Sequence, residues 1–292
     1  MTGPLHNRTY IITGAGKGLG RAYALHLARL GASLVVNNRK HEGERESSAE
    51  RVVGEITAAG GQAVAEHSDA EDRACGERLL ETALEAFGRV DGLIANAGVS
   101  EGRSFHKQSL EELHRTLDIN LAGTLNAIHP VFRHCYEQSR GAFIVTTSVA
   151  GLYGEHGLPA YSTSKAGLIG LARAIGKEGG RHGVRVNALA PYGATQMTEA
   201  QLSDDLIERM RPERVAPVVA WLLSDDCPVN GEVVIAGGGR LATAGVREPS
   251  PVEIADDADF STVARAWDEL TQRSLERHYG GALDHFAGYL GD

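Results

Sequence analysis

Positive charge is scarce in this sequence: 29 Lys and Arg stand against 38 Asp and Glu, a formal charge of −9 over 292 residues. Such a chain lacks the basic surface that holds nucleic acid or an anionic membrane, so neither is expected as a partner. Cysteine is nearly missing. Cys75, Cys135 and Cys227 are far apart and form no CxxC pair, which reads as reduced thiols in a cytoplasmic protein. Long apolar runs are missing as well; none approaches the roughly 18 residues that span a bilayer. The opening MTGPLHNRTYIITG enters a strand without the charged and apolar regions of a signal peptide. Histidines are scattered: His129 and His134 lie five apart and His26 stands alone, so no zinc cluster is expected. No repeat of solenoid type occurs.

What is present is a core and a rhythm. Hydrophobic residues make up 42% of the chain, enough for one large α/β domain with an appendage. Strand-like runs at Thr9–Thr13, Ser33–Asn37, Ala63–Ala65, Gly92–Ala95, Ala142–Thr146, Val184–Ala188 and Glu232–Ala236 alternate with helix-like segments. These helical segments are Leu19–Leu30, Ala49–Ala59, Gly76–Phe87, Ser109 to about Cys135, Ala160–Glu178 and Glu213–Leu223. Ser109 with Glu112 three residues later is a capping box at the start of the longest. Regular alternation predicts parallel strands joined by right-handed crossovers, and the continuous apolar strands predict a sheet covered on both faces. The expected fold is a Rossmann-type doubly wound parallel sheet over residues 1–240. Residues 241–292 are expected to form a helical appendage with segments near Ser261–His278 and Leu283–Tyr289, the first burying Trp267, Leu270 and Leu275.

Two local patterns carry chemistry. TGAGKGLG, Thr13–Gly20, sits at a strand-to-helix junction. Gly14 permits the tight turn, while Gly18 and Gly20 allow close approach of a pyrophosphate and close helix packing. The helix start then offers free N–H groups to phosphate. Farther on, Ser148 precedes Tyr161 and Lys165, which lie four apart on one helix face. A lysine ammonium beside a phenol lowers the phenol's pKa, and such a tyrosine exchanges a proton with an alcohol oxygen. Ser148, at a strand end, is expected to hydrogen-bond the same oxygen.

In this combination and order the residues resemble the short-chain dehydrogenase/reductase family over about residues 8–240. The resemblance implies a nicotinamide cofactor held by Gly14, Lys17, Gly18, Leu19 and Gly20 in the turn, and by Asp69 and Ala70 near the adenine. It extends the cofactor site to Asn96, Ala97 and Gly98, where Ala95 replaces the first Asn of the family's NNAG. Pro191 and Gly193 match the family's PG turn with Tyr192 inserted, so that Thr195 or Thr198 would meet the nicotinamide carboxamide or a phosphate; Asn187 matches the asparagine before that turn. Ser148, Tyr161 and Lys165 match the catalytic trio, Lys165 also binding the nicotinamide ribose. Asn120 matches the helix asparagine that holds a water of the proton relay.

Within the family, TGAGKGLGRAYALHLARLGASLVVN, APYGATQMTE and PERVAPVVAWLLSDD look most like the dehydrogenase unit of the peroxisomal D-bifunctional enzyme of β-oxidation and its bacterial relatives. That branch oxidises (3R)-3-hydroxyacyl-CoA thioesters. A ketoreductase for a steroid or secondary-metabolite ketone is the alternative, and a non-catalytic nucleotide sensor is the rival of another class. The intact Tyr161 and Lys165 argue against the sensor. The substrate wall is expected from Ser100–Lys107, Tyr153–Pro159 and Gln196–Met210, including Phe105, His106, Tyr153, His156 and Met197. The family resemblance implies a homodimer or homotetramer.

The stretch VVNNRKH, Val35–His41, departs from the branch. Where the branch has Asp for the ribose hydroxyls of NAD, this chain has Asn38, followed at once by Arg39. A carboxylate repels a 2′-phosphate and an amide does not; Arg39 could fork onto it. With Lys17, this favours NADP over NAD as cofactor and a reductase over a dehydrogenase.

Overall fold

The computed structural model describes residues 3–40, 43–194 and 203–290. Short runs of β-branched and small apolar residues form the strands β1 (Thr9–Ile12), β2 (Ser33–Asn37), β3 (Gln62–Glu66) and β4 (Gly92–Ala95). They are followed by β5 (Gly141–Thr146), β6 (Val184–Tyr192) and β7 (Val233–Gly237). All seven pair in parallel, in the order β3-β2-β1-β4-β5-β6-β7. A two-residue turn at Gly238 and Gly239, with φ of +59° and +75°, leads into an edge strand the sequence did not reveal, β8 (Arg240–Ala244). Left-handed φ is open to glycine at no steric cost, which is why the turn can be this short.

The helices are α1 (Gly18–Arg29), α2 (Ser48–Ala58), α3 (Cys75–Phe87), α4 (Leu110–Leu117), α5 (Gly123–Glu137), α6 (Val149–Tyr153), α7 (Pro159–Gly180), α8 (Asp204–Arg209) and α9 (Ala216–Leu223). Leu27 of α1, Val52 and Ile56 of α2, and Val219 and Leu222 of α9 share one core cluster with Ile12, Leu34 and Val36 of the sheet. Each such side chain contributes roughly 1.5–3 kcal/mol on burial. The helix expected to run unbroken from Ser109 to Cys135 is interrupted. Ser109 and Glu112 form the capping box, but Asp118–Ala122 winds as one π turn between α4 and α5. A second capping box, Ser47 with Glu50, opens α2 and was readable in the sequence but missed. The three cysteines are free and buried.

At the amino ends of the strands, buried Asp91 gathers three arginines. Arg89 approaches at 2.7 Å, Arg140 at 2.8 Å and Arg8 at 3.4 Å, and the Thr9 amide donates to its other oxygen at 2.8 Å.

The chain divides into a unit Met1–Thr243 and a second unit Ala244–Asp292. The second holds α10 (Phe260–Gln272), α11 (Ala282–Leu290) and a bridge between Glu248 and Arg277. The expected buried stripe is not there. No residue of α10 is buried, Trp267 is 65% exposed, and Leu275 lies beyond the helix at 62%. A two-helix segment has too little apolar area to enclose a core of its own.

Candidate active site

In the first unit, the strand order reverses between β1 and β4, and there the carboxyl ends of neighbouring strands leave a crevice. It is a cavity of about 860 Å³. One end is built by the turn between β1 and α1. Gly14 has φ of +63° and Gly18 of +55°. A Cβ on Gly14 would lie 2.8 Å from Ala97 Cα, and one on Gly20 would lie 2.3 Å from the Gly14 carbonyl oxygen. Only glycine fits either place. Asn96 fastens the turn from β4: its Nδ2 donates to the Thr13 and Gly14 carbonyls, both at 3.2 Å, while Thr13 Oγ1 accepts from the Asn96 and Ala97 amides. The first turn of α1 has no acidic residue, so its N–H groups face a space suited to an anion.

Gly14, Lys17, Gly18 and Leu19 line this end; Gly20 is buried beneath it as packing. Asp69, Ala70, Asn96, Ala97 and Gly98 line it as expected, as do Pro191 and Gly193. Thr195, Thr198 and Met197 fall outside the described residues. Asn38 and Arg39 complete the far wall. Both amide hydrogens of Asn38 are committed, to Ser48 Oγ at 2.9 Å and to the Arg39 carbonyl at 3.2 Å. Arg39 reaches Asp69 at 3.5 Å, with both side chains nearly half exposed. The glycine cradle, the open helix start and the cations therefore fit a dinucleotide with its phosphates at the turn.

At the other end Ser148 follows β5 and caps α6, its Oγ accepting from the Ala150 amide at 3.1 Å. Pro159 pre-sets the first turn of α7, so Tyr161 and Lys165 occupy its opening turns. Ser148 and the Tyr161 phenol line the same end of the cavity, and the Ser148 hydroxyl favours the ionised phenol. Lys165 is 4% exposed; its Nζ donates to the Thr146 carbonyl at 2.7 Å and lies 5.6 Å from the Tyr161 ring centre.

The electrostatics differ from the sequence expectation. Burial holds the Tyr161 phenol above its ordinary value, opposed by the Ser148 hydroxyl. Burial also pulls Lys165 down to about 8. A nearby ammonium lowers a phenol's pKa in principle, but this one is directed at a carbonyl and is itself poorly solvated, so desolvation wins.

Asn120 sits in the π turn and does not line the cavity. Its Oδ1 accepts from the Val99 amide at 2.8 Å, and its Nδ2 donates to the Val99 carbonyl at 2.9 Å and to Ser164 Oγ at 3.2 Å. The side chain holds the loop after β4, and the main-chain carbonyl accepts from Thr124 Oγ1 at 2.8 Å. Asn187 likewise braces, its side chain bonding the Val229 carbonyl and the Glu232 amide. Of the expected substrate wall, Ser100, Glu101, Tyr153, Gly154, Glu155 and Leu158 line the cavity; Phe105, His106 and His156 do not. Tyr192 and Ile119 were missed. The inserted tyrosine could have signalled the first, but nothing in the pattern singled out the second.

The sequence model of the family described as short chain dehydrogenase matches residues 8–206. A short-chain type dehydrogenase/reductase of Mycobacterium tuberculosis is 37% identical over 274 residues, covering 92% of this chain and 96% of that protein. The peroxisomal multifunctional enzyme type 2 of Drosophila melanogaster is 36% identical over 293 residues, which is 95% of this chain but 47% of that one. This chain thus spans about half the length of that relative. A crystal structure of a short chain dehydrogenase from Mycobacterium avium superimposes with a TM-score of 0.82 at 36% identity, covering 94% of this chain and 98% of that one.

Proposed function

The chain belongs to the short chain dehydrogenase family, and from that premise we propose that it reduces a ketone to a secondary alcohol with NADPH, its substrate a 3-oxoacyl thioester. The observation that carries this is the convergence of Ser148, Tyr161 and Lys165 at one end of a cavity whose other end is the glycine turn with Lys17 and Arg39. When bound, the cofactor supplies the hydride that the substrate carbonyl carbon receives. Tyr161 Oη gives its proton to the carbonyl oxygen as that charge develops. Ser148 Oγ donates a hydrogen bond to the same oxygen and stabilises it. Lys165, tethered to Thr146, keeps a donor beside the phenol from which the proton can be restored.

One observation supports NADPH and, with it, the reductive direction. No carboxylate occupies position 38, and Lys17 and Arg39 both face the cavity, which suits a 2′-phosphate. The ion pair of Arg39 with Asp69 is exposed and costs little to exchange for a phosphate. The thioester substrate follows from the resemblance of three sequence passages to the β-oxidation branch and from the apolar wall of Val99, Leu158 and Tyr153. A homodimer or homotetramer is proposed on family resemblance. No helix among the described residues is long and apolar enough to cross a membrane.

Tyr161→Phe tests the assignment. Turnover should fall roughly 10²–10⁴-fold, with cofactor affinity, read by NADPH fluorescence, staying within a few-fold. Near-normal turnover would remove Tyr161 as the acid.

A further inference from the structure

Three consecutive residues at the end of β5 touch the same turn of α7, each through a different atom. The Thr146 carbonyl accepts from Lys165 Nζ at 2.7 Å. The Ser148 hydroxyl favours the ionised Tyr161 phenol. Between them Thr147, 2% exposed, donates its Oγ1 hydrogen to the main-chain carbonyl of Lys165 at 2.7 Å, across 18 residues of sequence. Thr147 is itself fixed, because its amide donates to the Leu189 carbonyl of β6 at 2.7 Å. The contact surface is also tight: a Cβ on Gly151 of α6 would lie 2.6 Å from the Lys165 carbonyl carbon and 2.8 Å from the Ala166 nitrogen.

A helical carbonyl has a partner within its own helix, so the Thr147 bond is an additional one. Losing it does not unmake α7. It leaves the turn bearing Tyr161 and Lys165 free to slide against the strand end bearing Ser148. We propose that Thr147 is a positioning residue for catalysis: its hydroxyl sets the register of Lys165 and Tyr161 on Ser148 by holding the Lys165 carbonyl. The inference rests on the reading of Tyr161 as the proton donor and deepens it. Small offsets matter, since a displacement of about 1 Å can cost 10²-fold in rate.

The ionisable groups on the elements packed around this pair are Asp118 in the π turn, Tyr153 in α6, Glu111, Glu112, His114 and Arg115 on α4, and Arg185 on β6, with Glu101 after β4 and Glu155 after α6. None of them contributes to the Lys165 shift, which burial produces. What a slide would weaken is the Ser148 interaction that opposes burial at the Tyr161 phenol; losing it raises the phenol further, and the proton-transfer step reads that out. In the alcohol-oxidation assay, kcat/KM rises with pH as the acid–base group loses its proton.

The test compares Thr147→Val, Thr147→Ala and Thr147→Ser in the full chain. For the two variants without a hydroxyl, kcat should fall about tenfold, the acid limb should move up by about half a unit or more, and the cofactor Kd should stay within twofold. Thr147→Ser, which restores the donor, should return both rate and limb towards the parent. A limb that stays at the parent position in a folded hydroxyl-free variant overturns the proposal, whatever its melting temperature. So does a serine variant as impaired as the valine one. Tyr161→Phe run alongside separates the two levels: if it keeps turnover, the proton-donor reading fails, whereas if it is inactive while Thr147→Val behaves as the parent, only the positioning role fails.

Discussion

Lys165→Met should make this protein more stable at neutral pH while disabling it. Lys165 is 4% exposed and its folded pKa is pulled from 10.5 to about 8 by burial. Below pH 8 the ammonium is therefore charged in both folded and unfolded chains, and folding carries the full cost of burying it. A drop of that size corresponds to roughly 3 kcal/mol at about 1.4 kcal/mol per unit. Between pH 8 and 10.5 the folded lysine is neutral while the unfolded one still binds a proton, so the penalty fades as pH rises through that window and is gone above it. Methionine has similar reach and no charge. Its one loss is the bond to the Thr146 carbonyl, worth about 1–2 kcal/mol. The expected net is a gain of about 1–2 kcal/mol at pH 7, shrinking or reversing by pH 10.5. Urea unfolding of parent and variant at pH 6.5, 8.5 and 10.5 measures it. A variant less stable than the parent at pH 6.5, or a difference that does not change with pH, would refute the assignment of burial as the cause.

Asp91→Ala should cost about 3 kcal/mol in urea unfolding, because Arg8, Arg89 and Arg140 lose their shared carboxylate and the Thr9 amide its acceptor, while turnover per folded molecule stays near the parent value. Asn38→Asp places a carboxylate where a 2′-phosphate is proposed to bind. The ratio of kcat/KM for NADPH over NADH should fall by about tenfold or more, and an unchanged ratio would reject the NADPH preference.

Much of this architecture was legible because the strands are bounded by glycine and polar residues and their interiors are continuous apolar runs. Leu34, Val35 and Val36 could hardly lie anywhere but inside a covered sheet. What escaped were features decided by tertiary contact. The π turn at Asp118–Ala122 exists where Asn120 must reach Val99 and Ser164 at once, and neither partner is near it in sequence. Helix α6 is five residues long and too short to show a period. That residues 148, 161 and 165 line one cavity was legible from their order and spacing, but the direction of the tyrosine shift was not, since burial is a property of the folded cavity. The tail misled for the opposite reason: Trp267 and Leu270 have helical spacing, and the spacing alone implied a core that the second unit does not form.

The clasp between Thr13 and Asn96 has a consequence for biosynthesis. The two residues are 83 positions apart, and the clasp forms only when β4 has docked beside β1. At ordinary rates of about 5–20 residues per second, roughly 4–17 s separate the synthesis of the two halves. For that interval the phosphate turn has its main-chain tie to β2, through the Ala15 amide and the Asn37 carbonyl at 2.8 Å, but not the side-chain clasp from β4. The finished shape of the turn is therefore a property of the docked strand pair and not of the β1–α1 segment that carries the glycines.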